Sequence, residues 1–437
     1  MLLPSYQSRD CFILNSHILP LMLNIVLTSL SLINLIYLLF SYFFGVFLLA
    51  IVGGKVLTIT NGIIKRGTIL IDNGKIVDVG ADLKVPDDAE IIDANGKVVM
   101  PGLIDAHCHI GIYEESVGWY GQDGNERTDP ITPNMRAIDA IKANADEMGL
   151  HKALETGITS VQVLPGSANV IGGTGVIIKT APKVIVDDMV LKNPSGMKCA
   201  FGENPRRVYG VEAKKMPATR MGVAALFRMW LQKTRDYMRK KELAKKDPSK
   251  MPDVDMKLEA LELVLSGAIP FRAHAHRADD IATAIRIAEE FNVKLSWEHA
   301  TEGHRIAHYI ASKGVPAVWG PSLLARGKWE MRELSFDTPR ILYEAGVKLA
   351  IQTDAVGQTI SFLPICAAMA VKHGLPYDAA LRAITINSAE ILGVADRVGS
   401  IEKGKDADIR IIDGDPLNIM TNVEVVIIDG NVVYTRN

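Results

Sequence analysis

The sequence predicts an α/β protein. A (β/α)8 TIM-like barrel is joined to a small β-sandwich domain built from both ends of the chain, and an extra apolar N-terminal segment precedes both. Three observations predict it. Short β-rich pieces separated by turn dipeptides open the folded region and close it, apolar strand candidates alternate with helical stretches between them, and several of those strands end in histidine, lysine or aspartate. The changes of pattern divide the chain into an apolar segment at 1–49, a composite β domain from 50–99 and 400–437, and a barrel over 100–399.

At 437 residues the chain is too long for one small core and fits one large barrel with an accessory domain, or two or three ordinary domains. A formal net charge of -2 and a pI near 6.6 give no nucleic-acid footprint and point to a small-molecule partner. Cys11, Cys108, Cys199 and Cys366 show no paired spacing of the kind that marks a disulfide framework or a zinc knuckle, which fits a reducing, cytoplasmic setting for the folded domain.

The N-terminal segment departs from this pattern. From Ile18 to Val52 no residue is charged, and the run rich in Leu, Ile and Phe exceeds the roughly 20 residues that a spanning helix needs. Two readings stand side by side: a membrane anchor at 18–48, or a non-native extension ahead of the true start, since a strand pattern begins near Ala50 with almost no linker. Lys55, Lys65 and Arg66 after the run, against Arg9 before it, place the C-terminal side in the cytoplasm if the run is an anchor.

From Ala50 the pieces GKVLTIT, GTILID and KIVDVG are punctuated by Asn61-Gly62 and Asn73-Gly74, with Asn95-Gly96 beyond; DADIRIIDG and VEVVIIDGNVVYTRN repeat the style around Asp429-Gly430. Asn-Gly or Asp-Gly between apolar alternations signals a hairpin. Between these ends, VVMPGLIDAHCHI, TGITSVQVLPG, GMKCAFG, AIPFRAHAHR, KLSWEHATEG, PAVWGP and KLAIQTDAVG are strand candidates interleaved with helical patterns, the signature of parallel βα units. Their span of about 300 residues suits a barrel whose usual size is about 250 before insertions. ADDIATAIRIAEEF reads as a helix behind an Asp cap, QKTRDYMRKKELAKKDPSK as a basic, solvated helix and loop, and GSANVIGGTGVIIKT as a glycine-rich loop.

In PGLIDAHCHI, residues i and i+2 of an extended strand share a side, so His107 and His109 reach one point while Cys108 faces away. Taken alone, the pair fits either a metal site or two polar residues on an exposed strand face. Further along, Lys198, His274, His299 and Asp354 each end a strand candidate, and barrel active sites assemble at the C-terminal ends of strands. That placement favours one wall of a metal site whose other walls arrive from distant sequence.

These motifs, together with the tail TINSAEILGVADRVGSIEKGKDADIRIIDGDPL, resemble the amidohydrolase superfamily and its imidazolonepropionase-like and prolidase-like branch over about residues 50–437. The resemblance implies that His107, His109 and Asp354 bind one divalent ion, most often zinc, and that His274 and His299 complete that site or bind a second ion. Lys198 falls where binuclear members carry a carbamylated lysine; a free lysine would instead hold a substrate carboxylate. His276 matches no general ligand position and is read as facing substrate or supporting a ligand. The implied reaction is hydrolysis of an amide or cyclic amide C–N bond by metal-activated hydroxide, with Asp354 as general base and His299 or the metal polarising the carbonyl. Arg206, Arg207 and Tyr209, just beyond Lys198, are candidates to grip an acidic substrate. Family habit further implies a homo-oligomer. The alternative is a catalytically inactive scaffold on the same fold, disfavoured because every ligand position carries a competent side chain.

Overall fold

The computed structural model describes residues 48–436. Of the apolar run at 18–48, all but Leu48 lies outside them. Among the described residues no helix is long and apolar enough to cross a membrane.

The first sheet draws its strands from both ends of the chain. β1 (Leu49–Leu57), β2 (Ile63–Asp72), β3 (Lys75–Gly80), β4 (Glu90–Asp93) and β5 (Val98–Pro101) join β14 (Ile409–Ile412), β15 (Val423–Ile428) and β16 (Asn431–Thr435). Their order is β16-β15-β14-β5-β1-β2-β3, with β4 also on β1. Leu49, Ile51, Ile69, Ile71, Val99, Ile409, Ile411 and Ile427 alternate into its core. Asn73-Gly74 and Asp429-Gly430 turn two-residue hairpins with both residues at positive φ, as their chemistry requires. Asn95-Gly96 does not. It separates β4 and β5, which both pair parallel with β1 and follow one another along it.

The second sheet is a nearly closed barrel in the order β6 to β13. β6 (Leu103–Cys108), β7 (Ile158–Val163), β9 (Val190–Ala200), β10 (Phe271–Ala275), β11 (Leu295–His299), β12 (Ala317–Trp319) and β13 (Leu349–Ile351) coincide with the seven strand candidates. Two backbone hydrogen bonds at the C-terminal ends of the strands, His109 N–H to the Ala355 carbonyl at 2.7 Å and Asp354 N–H to the His107 carbonyl at 3.2 Å, tie last strand to first.

The eighth strand corrects the sequence reading. β8 (Ile171–Lys179) occupies what reads as a glycine-rich loop and runs antiparallel to both β7 and β9. Its β-branched half, Val176 to Ile178, is fully buried. Glycine marks crowding here: Gly173 has φ +124°, and a Cβ there would lie 2.4 Å from the Met135 carbonyl oxygen. At its far end Lys179 reaches Asp406 (2.7 Å) and Asp408 (3.0 Å), a buried ion cluster that fastens the barrel to the first sheet.

Outside the barrel, the helix Ala278–Phe291 has the predicted span, but the expected Asp cap is absent: Asp279 and Asp280 lie in the first turn, the N-cap residue Arg277 makes no side-chain cap bond, and Glu302 from after β11 accepts the Ala278 N–H instead. The basic stretch continues a 25-residue helix, Arg220–Ala244, that buries Val223, Leu226, Phe227 and Leu231 and leaves its lysine-rich end solvated.

Candidate metal centre

The strands deliver six side chains to one place at their C-terminal ends. On β6, alternation sends His107 inward, and His109 follows two residues on; their rings meet edge to face with centroids 5.2 Å apart. His274 from β10, His299 from β11 and Asp354 after β13 close around them. The His107 and His299 centroids lie 5.1 Å apart, and those of His274 and His299 4.3 Å apart. Asp354 Oδ1 is 3.1 Å from His109 Nε2 and 3.5 Å from His107 Nε2. Lys198, from β9, places Nζ 3.0 Å from His107 Nε2.

One regularity runs through all five histidines, His276 included. Each Nδ1 is occupied: His107 by Glu298 (2.9 Å), His109 by the Leu164 carbonyl (2.6 Å), His274 by Ser167 (2.9 Å), His276 by Thr301 (2.7 Å) and His299 by the Gly320 carbonyl (2.9 Å). A ring held through Nδ1 presents Nε2, the arrangement that fixes a histidine as a metal ligand.

The residues fit a divalent cation on two grounds. His107, His299 and Asp354 form one group whose ligand atoms lie within 4.8 Å of one another, and His274, His276 and His299 form a second sharing His299. The buried Nε2 of His299 has no hydrogen-bond partner among the described residues. Burial holds His107, His274 and His276 well below the ordinary imidazole value and His299 down to about 3, so the rings are neutral donors. Burial pushes the Asp354 carboxyl up, but His299, His109 and His107 outweigh it and keep it ionised. Burial also lowers Lys198 to about 8, against the opposing charges of Asp354 and Glu298.

Backbone conformation contributes too. His299 (φ 80°), Ala300 (φ 55°) and Asp354 (φ 56°) lie in the left-handed region, which ordinary residues occupy only when the surroundings impose it.

The structure brings His276 into the second group, closer than its sequence reading placed it. Three other candidates sit apart from the rings. The Arg207 guanidinium is 3.0 Å from Glu212 at the surface, and Arg206 Nε donates to the Ala218 carbonyl. Tyr209 is fully buried with its hydroxyl 2.6 Å from Asn169 Oδ1. Besides Lys198, the rings are reached by Lys328, 3.4 Å from His276 Nε2, 3.3 Å from Asn204 Oδ1 and 3.1 Å from the buried Glu330 carboxylate. The sequence reading missed Lys328 and Glu330, which sit in an irregular loop after β12. It also missed Glu298, although a carboxylate within the buried strand LSWEH is a legible anomaly.

Comparison with known proteins gives the family and the fold. The amidohydrolase family model matches residues 98–433. An amidohydrolase from Thermotoga maritima MSB8 superposes with a TM-score of 0.85 at 45% identity, covering 89% of this chain and 100% of that one. The imidazolonepropionase of Geobacillus kaustophilus is 26% identical over 393 residues, 80% of this chain and 84% of that protein. Amidohydrolase tasK of Hapsidospora irregularis is 31% identical over 400 residues, 84% of this chain; the match spans 40% of tasK's own length. With the family model covering the whole barrel, the chain belongs to the amidohydrolase family, hydrolases of carbon–nitrogen bonds.

Proposed function

We propose that this protein is a metal-dependent hydrolase of an amide or cyclic amide C–N bond. The observation that carries the reading is the convergence of five Nε2-presenting imidazoles with the ionised Asp354 and the buried Lys198. His107, His109 and Asp354 would hold one divalent ion, zinc by its preference for imidazole and carboxylate, and His274 and His299 a second, with Lys198 between them. When bound, such an ion lowers the pKa of water towards roughly 7 and withdraws charge from a carbonyl oxygen.

The chain's own groups do the rest. Asp354 accepts the proton from water and returns it to the leaving nitrogen, so that the C–N bond breaks with a neutral amine departing. Lys328, a donor held against His276 Nε2, orients the carbonyl and any anionic group of the substrate, and His276 offers that site a lone pair; Arg206, Arg207 and Tyr209 belong to the loop beyond Lys198, away from the rings. Lys198 at about 8 has a neutral fraction large enough to add CO2, forming an N–C bond, releasing a proton and leaving an anionic carbamate in place of a buried cation. A silent scaffold would have no use for ligands held this way.

Asp354→Asn tests the reading. It should retain the fold and most of the metal, and turnover on a panel of N-acyl amino acids, dipeptides and cyclic amides should fall roughly 10²- to 10⁴-fold. Unchanged turnover, or a parent protein that retains no divalent ion after preparation with the metal in excess, refutes it.

A further inference from the structure

Behind His107 the barrel interior holds an unbroken line of polar side chains where barrels usually carry branched apolar layers. Arg272 Nη1 donates to Ser296 Oγ at 3.0 Å, Ser296 Oγ donates to Glu298 Oε1 at 2.6 Å, and Glu298 Oε2 meets His107 Nδ1 at 2.9 Å. Register explains the line. Arg272 pairs with Ser296 and His274 with Glu298 across β10 and β11, so period-two alternation turns all four to the interior. Arg272, Ser296, Glu298 and His107 are each at most 1% exposed. The guanidinium is anchored at the other end of the barrel, where it donates to the Ile391 carbonyl at 3.1 Å and the Ser195 carbonyl at 3.2 Å. It lines a cavity of about 690 Å³ among the N-terminal ends of the strands.

We propose that Arg272, Ser296 and Glu298 act as one positioning unit that holds His107 in the Nδ1–H tautomer with Nε2 facing the metal, a role that rests on the metal centre proposed above. Each link has one direction of donation. Arg272 has only donors, so Ser296 accepts from it and is left to donate to Glu298 Oε1; burial pushes the Glu298 carboxyl up while Arg272, Ser296 and Lys198 act against that, and as a carboxylate it has only acceptors, so that His107 Nδ1 carries the proton. The neutral ring's lone pair is then at Nε2, and the carboxylate makes that ring a stronger ligand. A buried carboxylate without such partners would be costly, and the distant guanidinium supplies the compensating charge through one hydroxyl.

The test uses the full chain carrying Glu298→Gln, Ser296→Ala or Ser296→Thr, with zinc affinity read by chelator competition and cobalt(II) absorption as a second signature. Glu298→Gln should weaken zinc binding roughly 10- to 100-fold and shift the cobalt bands. Ser296→Ala should move both in the same direction, and Ser296→Thr, which restores the hydroxyl, should return them to the parent values. Parent-like affinity and spectra in Glu298→Gln and Ser296→Ala overturn the proposal, as does a Ser296→Thr protein indistinguishable from Ser296→Ala. If Glu298→Gln fails to fold, the two Ser296 variants decide alone. A parent chain that binds neither ion overturns the metal centre itself, a separate result.

Discussion

Replacing Lys198 by Met removes a fully buried ammonium and should stabilise the metal-free protein at neutral pH. Burial, opposed by Asp354 and Glu298, takes the amine from 10.5 to about 8. At ~1.4 kcal/mol per pH unit that fall is about 3 kcal/mol of unfavourable interaction in the charged form. The variant also loses the hydrogen bond to His107 Nε2, a loss of about 1 kcal/mol, which leaves a net gain of about 2 kcal/mol. The sign follows from the lowered value. The folded chain holds this proton less tightly than the unfolded chain, so the cost is fully present below about pH 8 and is relieved as pH rises towards 10.5. Denaturant unfolding of metal-free parent and Lys198→Met from pH 6 to 10, in bicarbonate-free buffer, should show the variant ahead at pH 6 and 7, with the gap closing above pH 8. Added bicarbonate should stabilise the parent and speed its uptake of zinc while leaving the variant unmoved. At pH 7 about one amine in ten is neutral at a pKa near 8, against about one in three thousand for an ordinary lysine. A variant less stable than the parent at pH 7, or one with the same bicarbonate response, refutes the reasoning.

Two further substitutions probe the frame. Tyr209→Phe should cost about 1–3 kcal/mol in chemical denaturation, because Asn169 Oδ1 and the carbonyls of Asp129 and Glu126 lose a buried donor, while metal content stays at the parent value. Gly173→Ala should cost at least ~1–3 kcal/mol by the same measurement, since φ +124° and the Met135 carbonyl oxygen both oppose a Cβ; parent-like stability would mean that segment 131–136 does not seat on β8 as described.

The strand pattern and most of the site were legible because both depend on local rules. Each barrel strand is a short apolar run ending in a ligand-capable side chain, so His107, His109, Lys198, His274, His299 and Asp354 could be listed before any fold was known. β8 escaped because glycine carries two meanings: Gly173 and Gly175 read as loop freedom, while the fold uses them for close approach of neighbouring chain. Asn95-Gly96 was overread because the same dipeptide can jog one strand along a sheet edge instead of reversing it. Lys328 and Glu330 could not be placed, since nothing in an irregular loop says which side chains turn back towards the rings. Arg206 and Arg207 had the right chemistry and the wrong neighbours, a distinction that only tertiary packing makes.

The reversed strand β8 bears on how a substrate gets in. Where β7 diverges from it, the freed edge of β8 is taken by the chain that follows the His-x-His pair: Thr132 N–H bonds the Ile171 carbonyl and Thr174 N–H the Met135 carbonyl, both at 2.8 Å. That side of the mouth is therefore masonry, sewn into the barrel wall by the same ladder that shapes it. Swinging it aside would unzip part of the wall. On the opposite rim after β12, Leu323, Leu324 and Trp329 stand exposed while Lys328 and Glu330 turn back to His276, so recasting those three exposed side chains alone is the change that leaves the partners of the histidines where they are.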